Sequence, residues 1–213
     1  MGRLIADTAL VLALASAACS APQAREAPVL VHALGEFPAE LDGRIQGSTG
    51  QRTPVEQRRE ALYVELRRLG DAAIPALRSG LADPDVHVRR NVALYLTFEG
   101  GNWAKHADAG LDVAPFVPQL VAALRDEDER VMELAAQALE HAGLKAASAV
   151  PDLIRLVEHR SEAVRNSACI GLAGIGPAAR EALPVLRRAL DDPSKDVKHF
   201  ARRAIGKIER PEP

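Results

Sequence analysis

Aromatic side chains make up only 3% of this 213-residue sequence, and cysteine occurs twice. Neither charge sign dominates: 27 Lys and Arg stand against 29 Asp and Glu, a formal net charge of −2. Nucleic-acid binding by bulk charge needs a clear cationic surplus, so the sequence points to no nucleic-acid partner. The two cysteines, Cys19 and Cys169, lie far apart, and a disulfide framework needs an even set at loop positions. There is no Gly-x-Ser-x-Gly, no phosphate-binding glycine loop and no Cys-x-x-Cys. Nothing in the sequence calls for a cofactor, and no catalytic or metal-ligating set stands out. His106 and Asp108 share one stretch, but two ligands do not make a metal site. The abundant residues are Ala, Leu and Val, the composition of closely packed helices.

The first residues have the layout of an export signal. Arg3 is a short basic start, Thr8 to Leu14 is an apolar run marred only by Asp7 before it, and Ala15, Ser16, Ala17 and Ala18 follow. The run is too short to span a bilayer, which takes about 20 residues. Small residues directly before Cys19 resemble a bacterial lipoprotein leader, although Ser16 stands where the strict pattern has Leu. That resemblance implies cleavage after residue 18, lipidation of the Cys19 thiol, and a chain held at the membrane of the cell envelope by acyl groups. The alternative is an ordinary cleaved leader with Ala-x-Ala at Ala15–Ala17. Prolines 22, 28 and 38 and glycines 35, 43, 47 and 50 then predict a flexible tether over 19–54, with Val29-Leu30-Val31 as a possible docked segment.

From residue 55 onward the sequence repeats itself. Val88, Val131, Val164 and Val197 are spaced 43, 33 and 33 residues apart. Four positions after each valine come Val92, Ala135, Ala168 and Ala201, seven after come Tyr95, Ala138, Gly171 and Ala204, and eight after come Leu96, Leu139, Leu172 and Ile205. Those offsets share one helical face. A second helix in each unit opens on Ile74-Pro75, Val117-Pro118, Val150-Pro151 and Leu183-Pro184, with the same spacing. Proline suits a first helical turn because its missing N–H has no partner there. Asp85, Asp128, Ser161 and Ser194 precede the valines by three and are expected caps. Gly70, Gly143 and Gly176 are expected helix terminators.

The pattern Asp/Ser-x-x-Val-Arg-x-x-Ala-Ala-x-Ala-Leu, then apolar-Pro-x-Leu-x-x-x-Leu, resembles HEAT repeats, closest to the short type of phycobilisome lyases. The resemblance implies an all-α, right-handed α-solenoid. The hairpins are expected at 55–83, 84–127, 128–160 and 161–193, with a basic capping helix at 194–209 and a tail at 210–213. It also implies second helices lining a concave face and a scaffold that binds another protein. A lyase-like or cofactor-chaperone role is the alternative in the enzyme class, and a structural module without a dedicated ligand is the plainest reading. A HEAT-repeat metal hydroxylase uses His-Glu pairs at matched positions. Here Glu140-His141 and Glu158-His159 are reversed and fall in unlike helices.

The candidate partner-binding residues lie where packing does not account for them. The ten-residue surplus of the second unit falls within 97–114 and holds the only tryptophan, Trp103. Arg78, Arg155, Arg187 and Arg188 sit at non-core offsets of the second helices, where they form a basic stripe or ordinary solvated pairs beside Asp152 and Glu158. Arg89, Arg165 and Lys198 read as structural, and Cys169 as a small core residue.

Overall fold

The computed structural model describes residues 23–37, 54–100 and 111–210, and every regular element among them is helical. Helix α1 is Gln23–Ala33, α2 is Pro54–Leu69, α3 is Ile74–Gly80, and α4 is Val86–Gly100. Then come α5 at Val117–Ala123, α6 at Glu129–Ala142, α7 at Val150–Leu156, α8 at Glu162–Ile175, α9 at Leu183–Arg188 and α10 at Lys195–Ile208. Helices α4, α6, α8 and α10 pack side by side in one layer, and α5, α7 and α9 each pack on the long helix that follows them. This is an α-solenoid.

The repeated positions are its core. Val88, Val131, Val164 and Val197 have no exposed surface, nor do Val92, Ala135, Ala168 and Ala201 four residues on. Leu77, Leu120, Leu153 and Leu186 of the short helices are buried beside them. In the last unit Leu190 and Ile205 are only partly buried, because no further unit covers them. Gly70, Gly143 and Gly176 all have positive φ, between 54° and 67°, a region where a side chain would be strained. They end the long helices and start the 3₁₀ turns Gly70–Ala73, Gly143–Ala149 and Gly176–Ala182. The stretch Glu162–Asp191 is apolar and long enough to cross a membrane by length and composition, but it is broken at Gly176 and just over half of its apolar window is buried in the array.

Neighbouring long helices come very close in the C-terminal half. A methyl added at Gly171 would lie 2.7 Å from the Ala136 carbonyl oxygen, and one at Gly174 only 2.4 Å from that of Glu140. The small residues at the seventh position make this approach possible. Tyr95 occupies the same position in α4, and its ring meets Tyr63 of α2 edge-on at 5.0 Å. The first hairpin is therefore held off from α4 by aromatic bulk.

The segment after the leader differs from the expected tether. Residues 23–37 form α1 and a 3₁₀ turn, Leu34–Glu36, which packs on α4 while α1 crosses α2 and α3. Ala27, Leu30, Val31, Leu34 and Phe37 are buried there. The first four fall at i, i+3, i+4 and i+7, a helical stripe. Pro28 forfeits one helical hydrogen bond, and burial of the stripe outweighs it. The docked segment thus reaches well beyond Val29–Val31. The leader, Cys19 and residues 38–53 lie outside the described residues.

Candidate binding surface

The turns between units form a polar edge built on one recurring device. Asp83, Asp126 and Asp192 each accept the backbone N–H two residues ahead through a carboxylate oxygen, at 2.8, 2.9 and 2.8 Å. At the equivalent place His159 accepts the Ser161 N–H through Nδ1 at 3.1 Å. Arg89 then grips Asp126 with two hydrogen bonds at 2.7 and 3.0 Å and donates through Nη1 to the carbonyls of Asp83 and Pro84. Arg165 repeats this with Asp192, at 2.8 and 3.0 Å, and with the carbonyls of His159 and Arg160. Each arginine thus staples the turn before its helix to the turn that closes its unit. These forks are largely hidden from water, which strengthens a bidentate guanidinium–carboxylate pair. The Arg165 guanidinium holds the Asp192 carboxyl below the usual aspartate range.

The unit at 128–160 lacks this staple. Met132 stands where Arg89 and Arg165 stand, and His159 where Asp126 and Asp192 stand. Both partners are replaced together, so neither leaves an orphaned charge. The capping reading holds for Asp85, Asp128 and Ser194, whose side chains accept backbone N–H groups of the following helix. Ser161 is the exception. Its side chain caps no helix N–H and interacts instead with Glu129. The Asp128 carboxylate is also gripped by Arg90, which lowers its pKa.

All four arginines proposed for partner binding are exposed, and each holds a partner in the chain itself. Arg78 donates to the Pro115 carbonyl at 2.9 and 2.6 Å. Arg155 pairs with Asp152, one turn back on α7. Arg187 reaches Glu209 at 3.0 Å, and Arg188 reaches Glu158 at 2.6 Å. They lie on α3, α7 and α9 and are spaced along the array as separate pairs. Asp152 itself is buried, with only 3% of its surface exposed, and Arg125 also binds it through two 2.9 Å hydrogen bonds. Arg125, with Arg155 behind it, holds this carboxyl below its ordinary range. The sequence showed Asp152 only as a neighbour of Arg155, since nothing in the spacing reveals that Arg125 folds over it from the preceding unit.

Trp103 lies in 101–110, outside the described residues. The flanks of that stretch are well placed. The Leu111 N–H donates to the Glu99 carbonyl at 2.9 Å, so the insertion leaves and re-enters the array at one point. The Glu99 carboxylate is buried and takes two 2.8 Å hydrogen bonds from Arg67 of α2. Glu99 was not a candidate in the sequence, where it is one acid among 29. Burial beside Glu99 pushes the Tyr95 hydroxyl well above the usual tyrosine value. Among the described residues no group of His, Cys, Asp and Glu gathers to hold a metal ion. Cys169 is fully buried, and desolvation pushes its thiol up to about 12.

Residues 117–206 match a family described as HEAT repeats. The match covers a little under half of the chain. It spans the two regular hairpins, their predecessor α5 and most of α10, the part in which the 33-residue spacing is unbroken. No curated protein matches the sequence. Solved structures resemble the whole fold. An engineered protein aligns over 93% of this chain and 96% of its own, with a TM-score of 0.59 and 22% identity. A designed armadillo repeat protein in complex with the peptide (KR)4 aligns over 85% and 81%, with a TM-score of 0.58 and 19% identity. The complex of CpcE and CpcF of phycocyanin lyase from Nostoc sp. PCC7120 aligns over 82% and 69%, with a TM-score of 0.55 and 25% identity. The HEAT-repeat match and these likenesses fix the architecture as an α-solenoid of helical repeats.

Proposed function

We propose that this chain is an exported scaffold, anchored to a membrane of the bacterial cell envelope through a lipid on Cys19, whose HEAT array binds another protein. The observation that carries the binding reading is the division of labour along the array. The staples, caps and small core residues account for the turns and the long-helix layer. The short helices keep exposed arginines, and the 97–114 insertion is pinned at its base by Glu99 and Leu111. Exposed pairs such as Arg187–Glu209 contribute only about 0–1 kcal/mol, so a partner's carboxylates can exchange with Glu158 or Glu209 at little cost. The small-residues-then-cysteine leader supports the anchor.

The test is affinity capture from envelope extracts with the mature chain, against the variant Trp103→Ala with Arg155→Ala. Loss of the captured protein is the expected result, and undiminished capture refutes the assignment of the surface. Mass spectrometry of the mature N-terminus checks the anchor separately. An acylated Cys19 supports it, and an unmodified terminus elsewhere removes it. The likeness to CpcE and CpcF favours a second reading, a lyase-like or cofactor-chaperone protein acting on a partner. That reading requires a coloured or cofactor-bearing protein in the captured fraction.

A further inference from the structure

The closing helix carries more than a polar cap needs. Residues 195–210 hold six basic and two acidic side chains, in a chain whose total is −2. Arg203 of α10 reaches past α8 to Glu140 of α6, at 3.0 Å. It can do so because Gly174 lies between them with no side chain and almost touches the Glu140 backbone. The bridge spans a groove of about 450 Å³ at the end of the array where the long helices stop. Its floor is apolar, with Ala173, Ile175 and Pro177, and Leu144 at its rim is 53% exposed. Its basic side is Arg203, Lys207 and Arg210, against the single carboxylate of Glu140. No carboxylate among the described residues pairs with Lys207 or Arg210. The same three basic residues also line a second depression of about 300 Å³, beside Gly206, where the surface is open. The helix dipole accounts for one cation in the last turn of α10. It does not account for three cations converging over an apolar cleft.

We infer that this end groove binds an acidic peptide segment of a partner protein, with carboxylates on Arg203, Lys207 and Arg210 and an apolar side chain against Leu144 and Pro177. Cationic clusters beside apolar pockets recognise acidic motifs in this way. The groove volume is that of a site for a few side chains. The apolar floor between the cations suits an apolar side chain flanked by carboxylates, an arrangement that a lipid head group does not present. The groove lies on α6, α8 and α10, apart from the short-helix arginines, and stands whether or not those bind anything.

The experiment uses the mature chain and a fluorescein-labelled hexapeptide of sequence Glu-Leu-Glu-Glu-Leu-Glu, followed by fluorescence anisotropy at about 0.01 and about 0.15 M salt. Saturable binding is expected, weaker at the higher salt. Lys207→Glu with Arg210→Glu is expected to weaken it at least about tenfold. Leu144→Asp is expected to weaken it as well. Arg25→Glu with Lys195→Glu makes the same charge change away from the groove and is expected to leave the affinity within about twofold. All these side chains are exposed, and circular dichroism confirms that each variant folds. Equal losses in the two charge-reversal variants would overturn the proposal, since binding would then follow net charge. So would no saturable binding, or stronger groove-dependent binding to vesicles of anionic lipid than to the peptide.

Discussion

Gly174 and Gly206 provide a paired test of the packing, because one substitution has opposite signs at the two places. Both lie in helices, where replacing glycine by alanine gains about 1 kcal/mol from the reduced freedom of the unfolded chain. At Gly206 nothing lies within 4 Å of the new methyl, so Gly206→Ala keeps that gain. At Gly174 the methyl would stand 2.4 Å from the Glu140 carbonyl oxygen, 2.5 Å from its Cα and 2.7 Å from its Cγ. Two of these atoms are backbone and cannot rotate aside. Helices α6 and α8 must separate, and overpacking of this kind costs about 3 kcal/mol at the upper end of its usual range. Gly174→Ala is therefore destabilising by about 2 kcal/mol after the helix gain. With a urea m-value of about 2 kcal/mol/M, the midpoint falls by about 1 M for Gly174→Ala and rises by about 0.5 M for Gly206→Ala. Urea titrations followed by circular dichroism measure both shifts. A neutral or stabilising Gly174→Ala would refute the reasoning, since α6 and α8 could not then lie as close as the structure has them.

The missing staple can be installed. Met132→Arg alone buries an unpaired guanidinium and should destabilise. Adding His159→Asp should recover stability with a favourable coupling of about 1 kcal/mol in a double-mutant cycle, and a coupling near zero would sever Arg89 and Arg165 from the role given to them. Asp128, Asp152 and Asp192 have carboxyls held below the ordinary value of 3.8, so their contribution to stability is complete above that pH and is lost as the pH falls below it. The urea midpoint should therefore drop steeply below pH 4 or so, and Asp192→Asn should flatten part of that drop. Cys169, buried and with its thiol pushed up to about 12, should resist iodoacetamide in the folded chain and react once urea unfolds it, as peptide mapping would show.

The parts of the fold legible in the sequence are those set by period. The valine starts, the prolines after the long helices and the three positive-φ glycines occur where the spacing put them, because each answers a local demand of the backbone. Helix α1 was hidden by its own proline, although Ala27, Leu30, Val31 and Leu34 carry the helical stripe in plain view. A breaker tells what a helix loses and not what the surrounding array returns. The binding surface was less legible. Arg155 was visible as an exposed cation, but its partner Asp152 is shared with Arg125 from the neighbouring unit. The groove at Arg203 depends on a bridge of 63 residues in sequence, for which no spacing rule exists.

The unit at 128–160 has a methionine where its neighbours carry a staple, yet its long helix comes into near backbone contact with the next one, at Gly171 and Gly174. The array is thus held by two unlike couplings, ion pairs along its turns and backbone proximity between α6 and α8. Acid dissolves the first kind and leaves the second untouched. Because each unit depends chiefly on its neighbours, an acidified array should come apart from the outside inward, with α6 and α8 as the last pair to separate. The order of disassembly is written into which turns have an arginine.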